Sequence, residues 1–243
     1  MTNRTEFFSR IRANIDSNGY HVTLVSSACL PRYAYTIGCK EIFGSELIFA
    51  GGEYYSKSDI STIIDQIIIE LKKTSADWQS ISLSIDSLGS FSLSKVDQSW
   101  SKLLALGVFD FYDQEEIQTL QILPDQEHRT FDIPDMSIEF NVASQPVWQW
   151  LIREWDYPIP SNSTAVTNLK VLYGEKATEV MRWEAGEWEI FSGAGPDVPK
   201  KDMRVVPLAI LIGIDKSLEP VIHLEIGKGF WRDSNELVWN NWG

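Results

Sequence analysis

The sequence is poor in the side chains that most often carry catalysis and metal binding. Its 243 residues include two cysteines and three histidines: Cys29, Cys39, His21, His128 and His223. Two thiols cannot form a disulfide framework in a chain this long, and the histidines stand too far apart for the closely spaced ligands of a zinc site. A serine or cysteine nucleophile needs a nearby base, and no histidine lies in a local catalytic signature. We therefore predict free thiols, no catalytic residue, no metal site and no cofactor.

Basic residues are also scarce. The chain has 21 Lys and Arg against 34 Asp and Glu, a formal net charge of -13. Such a surface repels duplex DNA and anionic membranes and attracts a basic partner. The longest apolar run, residues 63–72, is broken by acidic residues and is shorter than the roughly 20 residues that span a bilayer. Because no opening stretch resembles a secretion signal, we expect a cytoplasmic protein that binds neither nucleic acid nor membrane.

The first part of the chain alternates helical and strand-like patterns. We predict helices over Thr2–Asn18, from Ser58 as the N-cap, and over Ser99–Leu106 with Gly107 as the stop. Strand patterns cover residues 20–27, 33–39 and 46–52, which predict an antiparallel meander, then a hairpin over 80–96 and a strand over 117–123.

The composition changes between residues 132 and 160, where four prolines surround a cluster formed by Trp148, Trp150, Trp155 and Tyr157. Such a segment is typical of a joint between domains, and its tryptophans are expected to fill the space between the two halves. Beyond it, Ala185-Gly186 predicts a hairpin, whereas residues 205–214 fit either a buried strand or a short helix. We predict an α+β protein of two domains, 1–146 and 147–243, each a mostly antiparallel sheet with a few packed helices.

The stretch "PRYAYTIG" at Pro31 and the following "FGSELIFAGG" resemble a bacterial family known as domain of unknown function 4262. Ser45 stands where that family commonly has proline. The segment "LQILPD" at Leu120 and the pair Gln145-Pro146 are similar to later motifs of the same family. The resemblance covers roughly residues 5 to 148. It implies no known activity.

The last third resembles a small domain assigned to bacterial immunity proteins. That domain has a Trp-x-Phe-Phe-Ser-Gly strand, an Asp-x-Ser-Leu-x-Pro segment and a closing Phe-x-Arg-Asp. The matching residues here are Trp188, Phe191, Ser192, Gly193, Asp215, Ser217, Leu218, Pro220, Phe230 or Trp231, Arg232 and Asp233. The sequence departs from the pattern at "SGAGPD", where an acidic run is usual. The resemblance implies that the protein binds a toxin.

Two surfaces are candidates for function. The first is an acidic patch that we expect to bind a basic protein toxin such as a nuclease, formed by Asp110, Asp113, Glu115 and Glu116. The second is a ligand groove on the N-terminal sheet, formed by Arg32, Tyr33, Tyr35 and Thr36, although structural roles also explain these residues. The leading hypothesis is a non-enzymatic cytoplasmic immunity protein. The alternative is a nucleotide- or flavin-binding domain or enzyme that uses the groove.

Overall fold

A computed structural model describes residues 4–73, 77–236 and 238–242. The helices are α1 (Arg4–Asn18), α2 (Lys40–Phe43), α3 (Lys57–Lys73), α4 (Gln98–Leu104), α5 (Leu106–Tyr112), α6 (Leu169–Leu172) and α7 (Leu208–Ile214). The strands are β1 (His21–Val25), β2 (Tyr33–Ile37), β3 (Glu46–Ala50), β4 (Ser82–Ile85), β5 (Gly89–Lys95), β6 (Thr119–Pro124), β7 (Thr164–Asn168), β8 (Glu179–Glu184), β9 (Glu187–Phe191), β10 (Met203–Pro207), β11 (Lys228–Trp231) and β12 (Asn240–Trp242). Short 3₁₀ helices cover Trp78–Ser80, Pro146–Leu151, Gly195–Asp197, Lys200–Asp202 and Lys216–His223.

The strands form two six-stranded sheets. Sheet 1 has the order β1-β2-β3-β6-β5-β4, and sheet 2 has the order β10-β7-β9-β8-β11-β12. Each sheet has one parallel pair, β3 with β6 and β7 with β9, and its other neighbours are antiparallel. The predicted α+β class is therefore confirmed, as are the β1-β2-β3 meander and the hairpin around Ala185-Gly186.

Helix α3 forms where isoleucines repeat every three to four residues. Its buried positions are Ile60, Ile63, Ile64, Ile67, Ile68 and Leu71, and they pack on one side of sheet 1. Burying each of these side chains stabilises the fold by about 1.5–3 kcal/mol. The predicted N-cap at Ser58 is wrong. Ser56 precedes the helix, its Oγ accepts from the Asp59 amide (3.2 Å), and Asp59 Oδ2 accepts from the Ser56 amide (2.8 Å). This reciprocal pair is a capping box, which fixes the helix start two residues earlier.

Strand β3 is buried along its whole length. Leu47 and Phe49 pack with α3, whereas Ile48 and Ala50 point to the opposite side of sheet 1. A continuous apolar strand needs cover on both faces, because successive side chains alternate between them. Sheet 1 therefore lies between α3 on one side and a second core on the other.

The second core is shared by the two sheets. It contains inner-face residues of sheet 2, such as Trp188 and Ile190, together with Tyr35 and Ile48 of sheet 1 and residues of α4, α5 and α7. Trp148 of the 3₁₀ helix lies within it, with its ring centroid 6.3 Å from Tyr33 and 5.9 Å from Trp100. The two sheet-based units are thus packed on common side chains. The proposed boundary between residues 146 and 147 stays a prediction.

Two local predictions are corrected by packing. Gly107 does not end a helix; it lies inside α5, and a Cβ there would approach the Tyr35 hydroxyl oxygen to 2.6 Å. Glycine is therefore needed for the close approach of α5 to β2. Residues 205–214 are neither one strand nor one helix, since β10 ends at Pro207 and α7 starts at Leu208. Thr2, where the first helix was predicted to begin, lies outside the described residues.

Within the described parts of the chain, no helix combines the length and the apolar character that crossing a bilayer requires.

The turn after β3 gives a stability prediction. Gly51 has a φ of +75°, and a Cβ there would collide with the main-chain carbonyl of Asp132. Gly44 has a φ of +81° but nothing within 4 Å of its Cβ position. We expect Gly44→Ala to lower the free energy of unfolding by about 1 kcal/mol through backbone strain alone, and Gly51→Ala by roughly 3 kcal/mol or more. Chemical denaturation measures both values. Equal losses in the two variants would show that the contact with Asp132 does not constrain the turn.

Candidate functional site

The four residues of the predicted groove do not form one surface. Along β2, Tyr33 and Tyr35 point into the shared core, and Thr36 points to the opposite side of the sheet. Tyr35 and Thr36 are buried, and Tyr33 is half-buried beside Trp148. Arg32 precedes the strand and pairs with Glu53. The structure therefore separates these residues into three different environments.

Thr36 belongs to a buried network around Glu46. Its Oγ1 donates to Glu46 Oε2 (2.6 Å) and accepts from the Leu47 amide (2.8 Å), and the Tyr112 hydroxyl donates to Glu46 Oε1 (2.8 Å). Glu46 also accepts from the amides of Gly38, Cys39 and Lys40. Burial raises the pKa of the Glu46 carboxyl, and these donors oppose that rise. The network holds β2, β3, α2 and α5 together, so the Tyr-Thr-Ile-Gly stretch has a structural role here.

A second buried network lies where the two units meet. We call Arg32, Glu53, Asp132 and Arg204 the junction cluster. Arg32 Nη2 donates to Glu53 Oε2 (2.7 Å), and the Arg32 amide donates to Glu53 Oε1 (3.2 Å). From β10, Arg204 Nε donates to the Glu53 carbonyl (3.1 Å), and the Glu53 amide donates to Asp132 Oδ2 (3.1 Å). The cluster thus joins the end of β3 to sheet 2.

Glu53 and Asp132, the two acids of the junction cluster, are buried where the ionised form of a carboxyl group is unfavourable. Burial raises the pKa of both carboxyl groups; the negative charge of Asp132 raises that of Glu53 further, and Arg32 lowers it. Asp132 is fully buried, and its Oδ1 has no hydrogen-bond partner among the described residues. Two close acids in such a place favour holding one proton between them. Sequence reasoning missed this cluster. The available signal was Glu53, an acidic residue that directly follows a buried strand and two glycines.

The predicted acidic patch lies on one exposed segment. Asp110 is on the last turn of α5, Asp113 ends that helix in a left-handed conformation with a φ of 51°, and Glu115 and Glu116 follow in the loop. All four residues are exposed, and Asp110 pairs with Arg4 at 3.2 Å. The structure therefore brings the four together. In the described ranges, no group of three or more His, Cys, Asp or Glu side chains is placed to hold a metal ion.

The side of sheet 2 that faces away from the shared core is covered only in part, where Gly195 lies against the ring of buried Phe191. We call this the outer face, and it encloses a depression of about 360 Å³. The depression is lined by Val166, Glu179, Val180, Met181, Trp183, Glu189, Phe191, Gly195, Pro196, Met203 and Trp242. Strand alternation builds it, because Trp188 and Ile190 point inward while their neighbours on β8 and β9 point outward. Trp183 is 51% exposed and Trp242 is 43% exposed.

The charges on the outer face have one sign. Glu179, Glu187 and Glu189 occupy outward positions of β8 and β9. The neighbouring Arg182 points inward, with its guanidinium 4.7 Å from the Trp188 ring centroid. Among the strand residues that the structure describes, no outward position of sheet 2 carries Lys or Arg. The outer face is therefore apolar and acidic. Sequence reasoning saw the alternation in β8 and β9 but used it only to predict a hairpin.

The residues of the C-terminal resemblance form an internal clasp. Asp215 Oδ1 accepts from the Ser217 amide (2.9 Å) and Oγ (2.6 Å). Buried Arg232 donates to Ser217 Oγ (2.8 Å), to Asp215 Oδ2 (3.1 Å) and to the Ala177 carbonyl (2.7 Å). Its guanidinium lies 4.0 Å from the Trp239 ring centroid. These bonds tie the segment before β12 to the 3₁₀ helix after α7, so the motif itself stabilises the unit.

The raised pKa values at the junction predict how stability depends on pH. The folded state holds a proton on Glu53 or Asp132 to a higher pH than the unfolded chain does, so this stabilisation is complete below about pH 4 and is lost as pH rises through the folded pKa. We expect this contribution to the free energy of unfolding to fall as pH rises above about 4, and to be smaller in Asp132→Asn. Denaturant titrations at several pH values measure the slope.

Asp86→Asn, at an exposed turn position, is the matched control and should keep the wild-type slope. Glu46, with a raised pKa, and His21, whose pKa burial lowers, affect the pH dependence equally in all three proteins, and the lowered pKa values of Asp97, Asp125 and Asp135 place their effects at lower pH. An unchanged slope in Asp132→Asn would rule out the shared proton.

Comparison with known proteins finds one family similarity. No curated protein and no solved structure matches it. The similarity of the C-terminal segment to an immunity-protein domain stays a prediction. Residues 14–131, slightly less than half of the chain, match the model of a family described as Domain of unknown function (DUF4262), which confirms the resemblance of the Tyr-Thr-Ile-Gly segment over that range.

Proposed function

We propose that this protein is a cytoplasmic bacterial immunity protein that binds a toxin domain and neutralises it by covering the toxin's functional surface. The observation that carries the proposal is the outer face of sheet 2, which combines exposed tryptophans with outward glutamates. The C-terminal resemblance supports the same function, because sheet 2 is built from that part of the chain.

The apolar side chains of the outer face are concentrated rather than scattered. Trp183, Trp231 and Trp242 are each 41–51% exposed and stand at outward positions of neighbouring strands. Single exposed apolar residues are ordinary on a folded protein, but a contiguous patch marks an interaction surface. Tryptophan is also the residue type most enriched among those that dominate binding energy at protein interfaces. The outer face is therefore suited to bury against a partner.

The charges select the class of partner. A net charge of -13 attracts a positively charged protein over a distance, and the outward glutamates favour a basic contact surface at close range. Nuclease toxins, whose substrate is polyanionic, carry such surfaces. The acidic patch of Asp110, Asp113, Glu115 and Glu116 contributes to this attraction through its exposed charge. Binding of a basic toxin is thus consistent with both surfaces, and the outer face supplies the apolar contact.

Co-expression tests the proposal. The toxin encoded beside this gene would be expressed in a heterologous bacterium with the wild-type chain, with Trp183→Ala/Glu189→Lys, or with Glu115→Lys/Glu116→Lys. We expect the wild type to protect growth and the outer-face variant to fail, with a Kd for the purified toxin weakened by about 30-fold or more. The acidic-patch variant should keep most of its affinity at physiological salt and associate more slowly, because exposed charges act mainly on the rate of association.

All substituted side chains are at least partly exposed, so the variants should fold, and circular dichroism verifies this. Protection that survives the outer-face variant but is lost with the acidic-patch variant would move the binding site to α5. A wild-type chain that neither binds the toxin nor protects the cells would refute the function.

A further inference from the structure

A small cleft opens beside the junction cluster. It has a volume of about 170 Å³ and lies between the loop after β1, the start of α3 and the strand β10. Its lining residues are Ser26, Ser27, Leu30, Arg32, Glu53, Lys57, Val205 and Pro207. Both sheet-based units therefore contribute to it. The depression on the outer face of sheet 2 and the cleft share no lining residue, although Val205 of the cleft stands at an outward position of β10.

The acceptor groups of the cleft are already occupied. Glu53 is its one lining carboxylate, and both of its oxygens accept from Arg32, Oε1 from the amide (3.2 Å) and Oε2 from Nη2 (2.7 Å). Its side chain is only 7% exposed. A ligand in the cleft would therefore find no free side-chain carboxylate to bind to.

Three donor side chains are free. Among the described residues, Ser26, Ser27 and Lys57 have no side-chain hydrogen bond, and all three are exposed. The Arg32 guanidinium also lines the cleft, where it is paired with Glu53. One free cationic side chain and two free hydroxyl groups, beside a carboxylate that is already paired, point to an acceptor-rich, negatively charged ligand.

We propose that the cleft binds a small oxyanion, a phosphate group that is either free or at the end of a nucleotide. Lys57 supplies a point charge, and the hydroxyls of Ser26 and Ser27 donate from the opposite loop. They lie beside the Arg32 guanidinium, whose Nη2 already donates to Glu53 Oε2 and to the Tyr55 carbonyl. Val205 and Pro207 form the apolar wall. The bound anion bridges the two sheet-based units.

Calorimetric titration of the full chain tests this site. Inorganic phosphate is one titrant, a nucleoside 5′-monophosphate is a second, and sodium chloride at matched ionic strength is the control. We expect saturable phosphate binding that chloride does not reproduce. We expect Lys57→Gln to weaken it by about tenfold, because one charge-assisted hydrogen bond is lost. Lys102→Gln removes an exposed lysine of α4 that does not line the cleft and should leave binding unchanged.

The two titrants separate the sources of the phosphate. Tighter binding of the nucleotide assigns the cleft to a terminal phosphate, and equal or weaker binding assigns it to the free anion. Ser27→Ala provides a second, less disruptive variant, and a several-fold loss of affinity is expected. The proposal is overturned if neither titrant binds, or if Lys57→Gln and Lys102→Gln weaken binding equally.

Discussion

The fold depends on placing two carboxyl groups where the sheet-based units meet. Glu53 and Asp132 are buried, and removing such groups from water costs several kcal/mol unless donors compensate them. Arg32, from the first unit, donates to the Glu53 carboxylate. Arg204, from the second unit, donates to the Glu53 main-chain carbonyl, and its positive charge lowers the pKa of the Glu53 carboxyl, so this compensation is complete only when β10 lies against the turn after β3. The shared apolar core provides the same coupling through Trp148. The two sheets are therefore parts of one cooperative structure, although each has its own strand order.

Buried polar networks also explain the sequence motifs. Thr36 and Glu46 fasten β2 to β3, and Asp215, Ser217 and Arg232 fasten the chain after β11. In each case a charged side chain is fully supplied with partners inside the protein. Side chains whose donor and acceptor atoms are already bonded within the protein have few free ones left for a ligand. The recognition surfaces must then be sought among side chains with unused capacity, which are found on the outer face of sheet 2 and in the cleft beside Arg32.

Local patterns predicted most of the regular elements. The isoleucine spacing gave α3, and the alternation around Ala185-Gly186 gave the β8-β9 hairpin, since both signals lie within one element or one turn. The residues of the predicted ligand groove do not form one surface. Side chains alternate between the two faces along β2, so Thr36 points away from Tyr33 and Tyr35. The junction cluster could not be predicted: Glu53 lies 79 residues from Asp132 and 151 from Arg204, and nothing local indicates that they meet. Polar contacts between residues far apart in the sequence leave no repeating pattern from which they could be predicted.

The outer face raises the question of how an exposed apolar sheet avoids self-association. Three features act against it within the described chain: the outward glutamates, the three-residue edge strand β12, and the proline that ends the other edge strand, β10. Charges on a face and short or proline-ended edges are devices that oppose unwanted strand pairing. Two copies of the outer face would place like charges together, whereas a basic surface would neutralise them. Under the proposed function, the glutamates that oppose self-association are therefore also the groups that favour a positively charged partner.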